Sequence, residues 1–233
     1  MEELFASRRI PFQGIANFRD LGGFPTENGY TRYHRFFRST HLAKATVSDL
    51  EKLQALRIGT VLDLRHPSEI AVQPDMIPEN TKYMAISLLG PMAPQDIRVN
   101  SQVRDTKTLF TMYKQIIENS ESAIREVITF LSETPDPVLF HCAAGKDRTG
   151  LIAMFLLSIV GADRMDIIAD YEISRTYIQD FSNDVSGSNY HNMDKLLGYL
   201  QNIYGGPVHY LHDIGVSEGV MEKLAIHFMK KIS

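Results

Sequence analysis

The chain has 233 residues, 44% hydrophobic and 22% charged, with a net charge of -4 and one cysteine, Cys142. The slightly acidic balance excludes a general nucleic-acid binder, whose footprint is a basic surplus, while leaving room for a local cationic pocket. A lone cysteine excludes an internal disulfide and a multi-cysteine zinc site, and fits a reducing compartment.

Tight turns are expected at Gly22-Gly23 and Asn28-Gly29, followed by a short strand over 33–38. Thr46 reads as a helix N-cap with Asp49 as its capping-box partner; Leu50, Leu53 and Leu56 follow at helical spacing, and Gly59 is expected to stop that helix. The run 60–64 is β-branched and apolar, as in a buried strand, and 83–88 is a second strand. Residues 90–105 hold Pro91, Pro94 and little periodicity, which predicts a long loop; the wider segment 90–118 is a candidate lid. Helices are expected over 106–118 and 120–133, the second with Ile124, Val127, Ile128 and Leu131 on one face. Pro135 and Pro137 break the chain before a short strand at 138–140. The helix that begins near Arg148 is apolar almost all round and should be buried. Asp163 can cap a helix running to about residue 180, a stripe at Met193, Leu196, Leu197, Leu200 and Ile203 predicts another, and a last helix spans 217–231. With no repeat and no long linker, the expectation is one domain over 1–233. Its class is α/β, a central mostly parallel sheet flanked by helices, with a helix-rich second half. The longest apolar stretch, 151–162, falls short of the roughly 20 residues a spanning helix needs. The start lacks a signal-peptide apolar region. A soluble, cytoplasmic protein with no stable membrane insertion is therefore expected, with secretion by a route lacking a signal peptide left open.

The chemistry concentrates in His141-Cys142-Ala143-Ala144-Gly145-Lys146-Asp147-Arg148-Thr149-Gly150. A loop between a buried strand and a buried helix points backbone N–H groups at one spot, and the helix adds its positive dipole end. Ala143, Ala144 and Gly145 are small enough for the backbone to close around a phosphate ion. Arg148, six positions after Cys142, offers a planar guanidinium that holds two phosphate oxygens. The same donors stabilise a thiolate, so Cys142 is expected to attack phosphorus and form a thiophosphate ester. Thr149 can donate to the sulfur and ease its departure, and His141 is expected to shape the loop. Lys146 reads either as a solvated charge or as extra positive potential for a substrate with more than one phosphate. Gly145-Lys146 is not a nucleotide-binding P-loop, because Phe140 stands where that motif needs glycine. His209 and His212 lack a third ligand for a metal.

These ten residues resemble the active-site loop of the protein tyrosine phosphatase superfamily. Together with Asn17-Phe18-Arg19-Asp20-Leu21-Gly22-Gly23, Arg38-Ser39 and Asp63-Leu64-Arg65, they resemble the bacterial tyrosine phosphatases of the PtpB/LipA type, from about residue 12 to residue 175. The resemblance implies a phosphotyrosine-phosphatase-like fold and a metal-free, cofactor-free hydrolase. Its substrates would be phosphotyrosine proteins, with phosphoserine, phosphothreonine or phosphoinositides for some members. The general acid stays open: there is no Trp and hence no Trp-Pro-Asp motif. Asp147 is the first candidate by resemblance, Asp63 the second, and Asp96 and Asp105 in the lid the third. Arg19 with Asp20, and Asp63 with Arg65, are expected to form ion pairs beside the site. The alternatives are a phosphoinositide phosphatase and a non-catalytic phosphate-binding module.

Overall fold

The computed structural model describes residues 8–90, 106–178 and 189–231. In chain order the elements are β1 (Arg19–Asp20), β2 (Pro25–Thr26), β3 (Gly29–Thr31), β4 (Phe36–Ser39), α1 (Val47–Ala55), β5 (Thr60–Asp63), α2 (Pro67–Val72), β6 (Lys82–Ala85), α3 (Thr106–Asn119) and α4 (Glu121–Glu133). They continue with β7 (Val138–His141), α5 (Asp147–Ile159), α6 (Arg164–Ile178), α7 (Tyr190–Tyr204), α8 (Pro207–Asp213), α9 (Glu218–Phe228) and β8 (Met229–Lys231).

The central sheet has the order β1-β4-β7-β5-β6. Its inner pairs are parallel, and only β1 runs antiparallel at the edge. The class expected from sequence, a mostly parallel sheet flanked by helices, is what forms. β4, β7 and β5 are buried along their whole length, as strands of a parallel sheet covered on both faces are, and of their polar residues Arg38, Ser39, Asp63 and His141 collect at the carboxyl ends. Period-2 geometry nonetheless sends neighbours to opposite faces. Phe36 and Phe140 join the large core under the helices of the second half, while Phe37 and Leu139 join a smaller core with Leu53 of α1. The register aligns Ser39, His141, Asp63 and Ala85 at the carboxyl ends of the four parallel strands. That is the end where open α/β sheets form their crevice.

Several local expectations shift. α1 has the Thr46–Asp49 capping box, but it ends at Ala55, and Arg57, not Gly59, takes the left-handed position at φ 57°. Gly59 is required for a close approach instead: a Cβ there would lie 2.5 Å from the Asp136 Cβ. β4 starts at Phe36 rather than 33 because His34, at φ 59°, turns the chain and donates its N–H to Asp20. The last helix stops at Phe228, and β8 pairs with β3 in a small sheet β2-β3-β8. α2 and α8 were not expected. Of the candidate lid 90–118, residues 91–105, including Asp96 and Asp105, lie outside the described residues. The rest of it is α3, which buries Leu109, Tyr113, Ile116 and Ile117 in the large core. Among the described residues, no helix is long and apolar enough to cross a membrane.

α5 is buried from Thr149 to Leu157, as its all-round apolarity predicts. Its Phe155 stacks on Tyr210 of α8 with ring centroids 5.5 Å apart. Phe155→Ala is expected to cost about 3–5 kcal/mol, read as a lower urea midpoint with an unchanged denaturant slope. A loss under about 1 kcal/mol would mean that the α5–α8 contact contributes little.

Candidate active site

β7 ends at His141 and places Cys142 at the carboxyl edge of the sheet, almost fully buried. α5 begins five residues later at Asp147. The connecting loop turns through Gly145 at φ 65°, where a Cβ would lie 2.0 Å from the Ser39 carbonyl oxygen; only glycine fits. The loop carbonyls are tied from behind. Asn17 Nδ2 donates to Ala144 O at 3.3 Å and Gly145 O at 3.0 Å. Arg38 Nη2 donates to Gly145 O at 2.8 Å and Lys146 O at 3.2 Å, and the His41 amide donates to Ala143 O at 3.2 Å. Among the described residues, none accepts a hydrogen bond from the main-chain amides of Ala143 through Arg148. Amides without protein acceptors, on residues that are buried or half-buried, next to a thiol and a helix N-terminus make a candidate anion site.

Arg148 lies in the first turn of α5 and forks onto Glu69 of α2, with Nη1 to Oε2 at 2.6 Å and Nη2 to Oε1 at 2.8 Å. Glu69 Oε2 also accepts from the His66 amide at 2.9 Å, closing the capping box of α2. Burial alone would raise the Glu69 carboxyl, but the Arg148 hydrogen bonds and charge outweigh it and hold it below its ordinary value. A guanidinium has five donors; the fork leaves three, Nε–H among them, for a phosphate.

Beneath the loop, Asp170 of α6 joins two buried arginines. Arg19 Nε reaches its Oδ1 at 2.8 Å, and Arg38 Nη1 reaches its Oδ2 at 2.5 Å. Arg19 also donates to the Asp170 carbonyl at 2.7 Å and to Ser174 Oγ at 3.0 Å, and it meets Asn17 through Nη1. Burial and the adjacent Arg19 push the Arg38 guanidinium down to about 10. Burial would raise the Asp170 carboxyl, yet the two arginines keep it low. The Arg19–Asp20 pair expected from sequence does not form. Asp20 accepts instead from the Gly22 and His34 amides at 2.8 and 2.7 Å, and burial lifts its carboxyl to about 6.

On the other side of Cys142, Asp63 receives Arg65 Nε, Nη2 and main-chain N, and the Tyr83 hydroxyl at 2.8 Å. Burial raises its carboxyl, but these donors, with His141 nearby, pull it down to about 2. Asp63 is thus ionised with both oxygens occupied, the reverse of what a proton donor needs; it is the strand-end pair with Arg65. Asp63, Asp75 and His141 offer ligand atoms within 4.8 Å of one another. The Arg65 guanidinium already sits 2.6 Å from Asp63 and 2.8 Å from Asp75, so the position has its cation. His141 fits the shaping role, with Nδ1 3.2 Å from the Cys142 carbonyl and Nε2 3.1 Å from Asp75 Oδ2, off the hydrogen-bonding direction.

The remaining loop residues divide. Asp147 accepts at Oδ1 from the Tyr113 hydroxyl, and its Oδ2 lies 3.9 Å from Lys146 Nζ. Lys146 is 3% exposed, which rules out the solvated-charge reading. Thr149 Oγ1 is buried without a hydrogen-bond partner among the described residues, so the expected bond to the Cys142 sulfur is not made. Glu69, Asp170 and Tyr113 escaped the sequence reading. His66-Pro67-Ser68-Glu69 carries a legible helix start, an N-cap, a proline at N1 and a glutamate at N3. Asp170 and Tyr113 lie inside helices and carry no local signal.

A family model described as "Tyrosine phosphatase family" matches residues 10–230. The chain is 30% identical to a tyrosine-protein phosphatase of Nostoc commune over 82% of its own length and 73% of that protein's. It is 29% identical to the triple specificity protein phosphatase PtpB of Mycobacterium tuberculosis, over 71% of this chain and 68% of that one. Among solved structures, P. aeruginosa TpbA aligns with a TM-score of 0.38 at 19% identity, over 80% of this chain and 90% of that chain.

Two predictions follow from the buried charges. Asp170→Asn leaves two buried guanidiniums on a neutral partner and is expected to cost about 3–5 kcal/mol, measured by urea unfolding; a near-neutral change would show that Arg19 and Arg38 find other acceptors. Asp63 titrates lower in the folded than in the unfolded chain, so the stability it contributes is complete above about pH 4 and is lost as the pH falls through about 2. The urea midpoint should drop across that window, and less steeply in Asp63→Asn.

Proposed function

The chain belongs to the tyrosine phosphatase family, and we propose that it hydrolyses phosphomonoesters, foremost phosphotyrosine in proteins, through a phosphate ester on Cys142. The observation that carries this reading is the loop itself. Asn17, Arg38 and His41 take up its carbonyls, while its amides, which follow Cys142 directly in the chain, find no acceptor among the described residues. Phosphate in the loop places phosphorus in line with Cys142 Sγ. The S–P bond forms as the P–O bond to the leaving group breaks, and Asp147, first turn of α5, delivers its proton to the departing oxygen. A water molecule then attacks phosphorus, gives its proton to the Asp147 carboxylate and releases the Cys142 thiolate with inorganic phosphate. The amides of Ala143, Ala144, Gly145, Lys146, Asp147 and Arg148, with the unused Arg148 donors, hold the equatorial oxygens in both steps. Glu69 keeps the Arg148 plane fixed. Thr149 Oγ1, buried and without a partner, supports a role toward the sulfur once charge develops there. Asp63 serves by holding the strand end.

A second substrate class is favoured by one observation. Lys146 places a nearly buried ammonium in the loop, 3.9 Å from Asp147. A further cation beside the phosphate site suits a ligand with more than one phosphate, and so a phosphoinositide. The retention of Cys142, Arg148 and Thr149 speaks against a non-catalytic phosphate-binding module.

Hydrolysis of phosphotyrosine peptide, phosphoserine peptide and phosphoinositide, each with a chelator present, should proceed with wild type and fall at least 10³-fold with Cys142→Ser. The substrate ranking chooses between the two classes, and Lys146→Met should lower activity on the phosphoinositide more than on phosphotyrosine. Activity surviving in Cys142→Ser, or none on any substrate, would overturn the reading.

A further inference from the structure

Three buried polar side chains from three helices form a series that ends on Asp147. The Tyr113 hydroxyl of α3 bonds Asp147 Oδ1 and lies 2.6 Å from the Tyr171 hydroxyl of α6. Tyr171 in turn bonds the side chain of Asn192 in α7. All three are buried, and the two rings meet edge to face with centroids 6.2 Å apart. Such a chain between helices is not needed to fill a core, since phenylalanine fills the same volume without polar atoms to satisfy.

Its direction follows from counting hydrogens. A carboxylate only accepts, so Tyr113 commits its one hydroxyl hydrogen to Asp147 Oδ1. Its oxygen can then only accept, which makes Tyr171 the donor between the two hydroxyls. Tyr171's hydrogen is now committed as well, so Asn192 meets it with Nδ2. Every donor in the series points toward Asp147, and reversing one reverses all. A proton on Oδ1 would face the Tyr113 hydrogen. Among the described residues Oδ2 has no such donor; its charged neighbour is Lys146 Nζ at 3.9 Å, with the Arg148 charge on the adjacent residue.

We propose that Tyr113 is a positioning residue for Asp147: held as a donor by Tyr171 and Asn192, it fixes Oδ1 as an acceptor, so that Oδ2 carries the transferable proton toward the leaving group. The proposal rests on Asp147 being the general acid and adds which oxygen acts and what holds it. The proton moves from Oδ2 to the leaving oxygen as the P–O bond breaks. In the second step it returns to Oδ2 from the attacking water, while Oδ1 keeps its bond to Tyr113 throughout.

The test compares kcat/KM on two aryl phosphates, one with a good and one with a poor leaving group, in wild type, Asp147→Asn, Tyr113→Phe and the double variant. Tyr113→Phe should lose about tenfold more on the poor leaving group than on the good one, with KM little changed. In the Asp147→Asn background it should lose nothing further, since the group it positions is gone. Tyr171→Phe removes one donor further back and should show the same asymmetry at about threefold; if Tyr113→Phe fails to fold, Tyr171→Phe and its own double variant carry the test. Equal losses on both substrates from Tyr113→Phe, or additive losses in the double variant, would overturn the positioning role while leaving Asp147 as the acid. Equal losses from Asp147→Asn itself would overturn the acid assignment, and this proposal with it.

Discussion

The active-site loop depends on one buried carboxylate placed between two arginines. Asp170 gives one oxygen to Arg19 and the other to Arg38. Each arginine then acts on the loop, Arg38 directly at the Gly145 and Lys146 carbonyls and Arg19 through Asn17, which reaches Ala144 and Gly145. A phosphate loop needs its carbonyls turned away from the anion, and carbonyls in a protein interior need donors. The buried ion cluster supplies them. By general energetics it adds little net stability over an apolar replacement, because removing three charges from water offsets most of their attraction. What it supplies is geometry, and the stability comes from the two apolar cores on either face of the sheet.

The same logic sorts the carboxylates around Cys142. Asp170 is held by Arg19 and Arg38, Asp63 and Asp75 by Arg65, and Glu69 by Arg148. Each faces a guanidinium that takes up at least one of its oxygens. Asp147 differs: a tyrosine hydroxyl meets one oxygen, and the Lys146 ammonium lies 3.9 Å from the other. The proposed role of Asp147 in proton transfer calls for an oxygen that no guanidinium fork occupies. Glu69 does two things with one side chain, starting α2 and fixing the plane of Arg148; the local helix start thereby sets the aim of a residue on a different helix.

Much of the fold was legible because its signals are local. The Thr46–Asp49 box, the apolar runs at 60–64 and 138–140, and the all-round apolarity of α5 each follow from backbone and burial rules that operate within a few residues. The misreadings have a common cause. Gly59 looked like a helix stop, yet its need for no side chain comes from Asp136, far along the chain. β8 looked like the end of a helix because its pairing with β3 spans nearly the whole sequence.

The sequence by itself picked out the proposed nucleophile, the arginine and the loop that holds them, since ten adjacent residues between a strand and a helix N-terminus carry those side chains and amides together. It also determined the sheet class, through the order and apolarity of its strands. Only the tertiary structure decided which charges meet. Arg19 pairs with Asp170 rather than with its neighbour Asp20, Arg148 with Glu69, and Asp147 with Tyr113. Ion pairs and hydrogen bonds act over a few ångströms in space, whatever the separation along the chain, so the partners that aim a side chain are fixed only when helices from distant segments pack against the sheet.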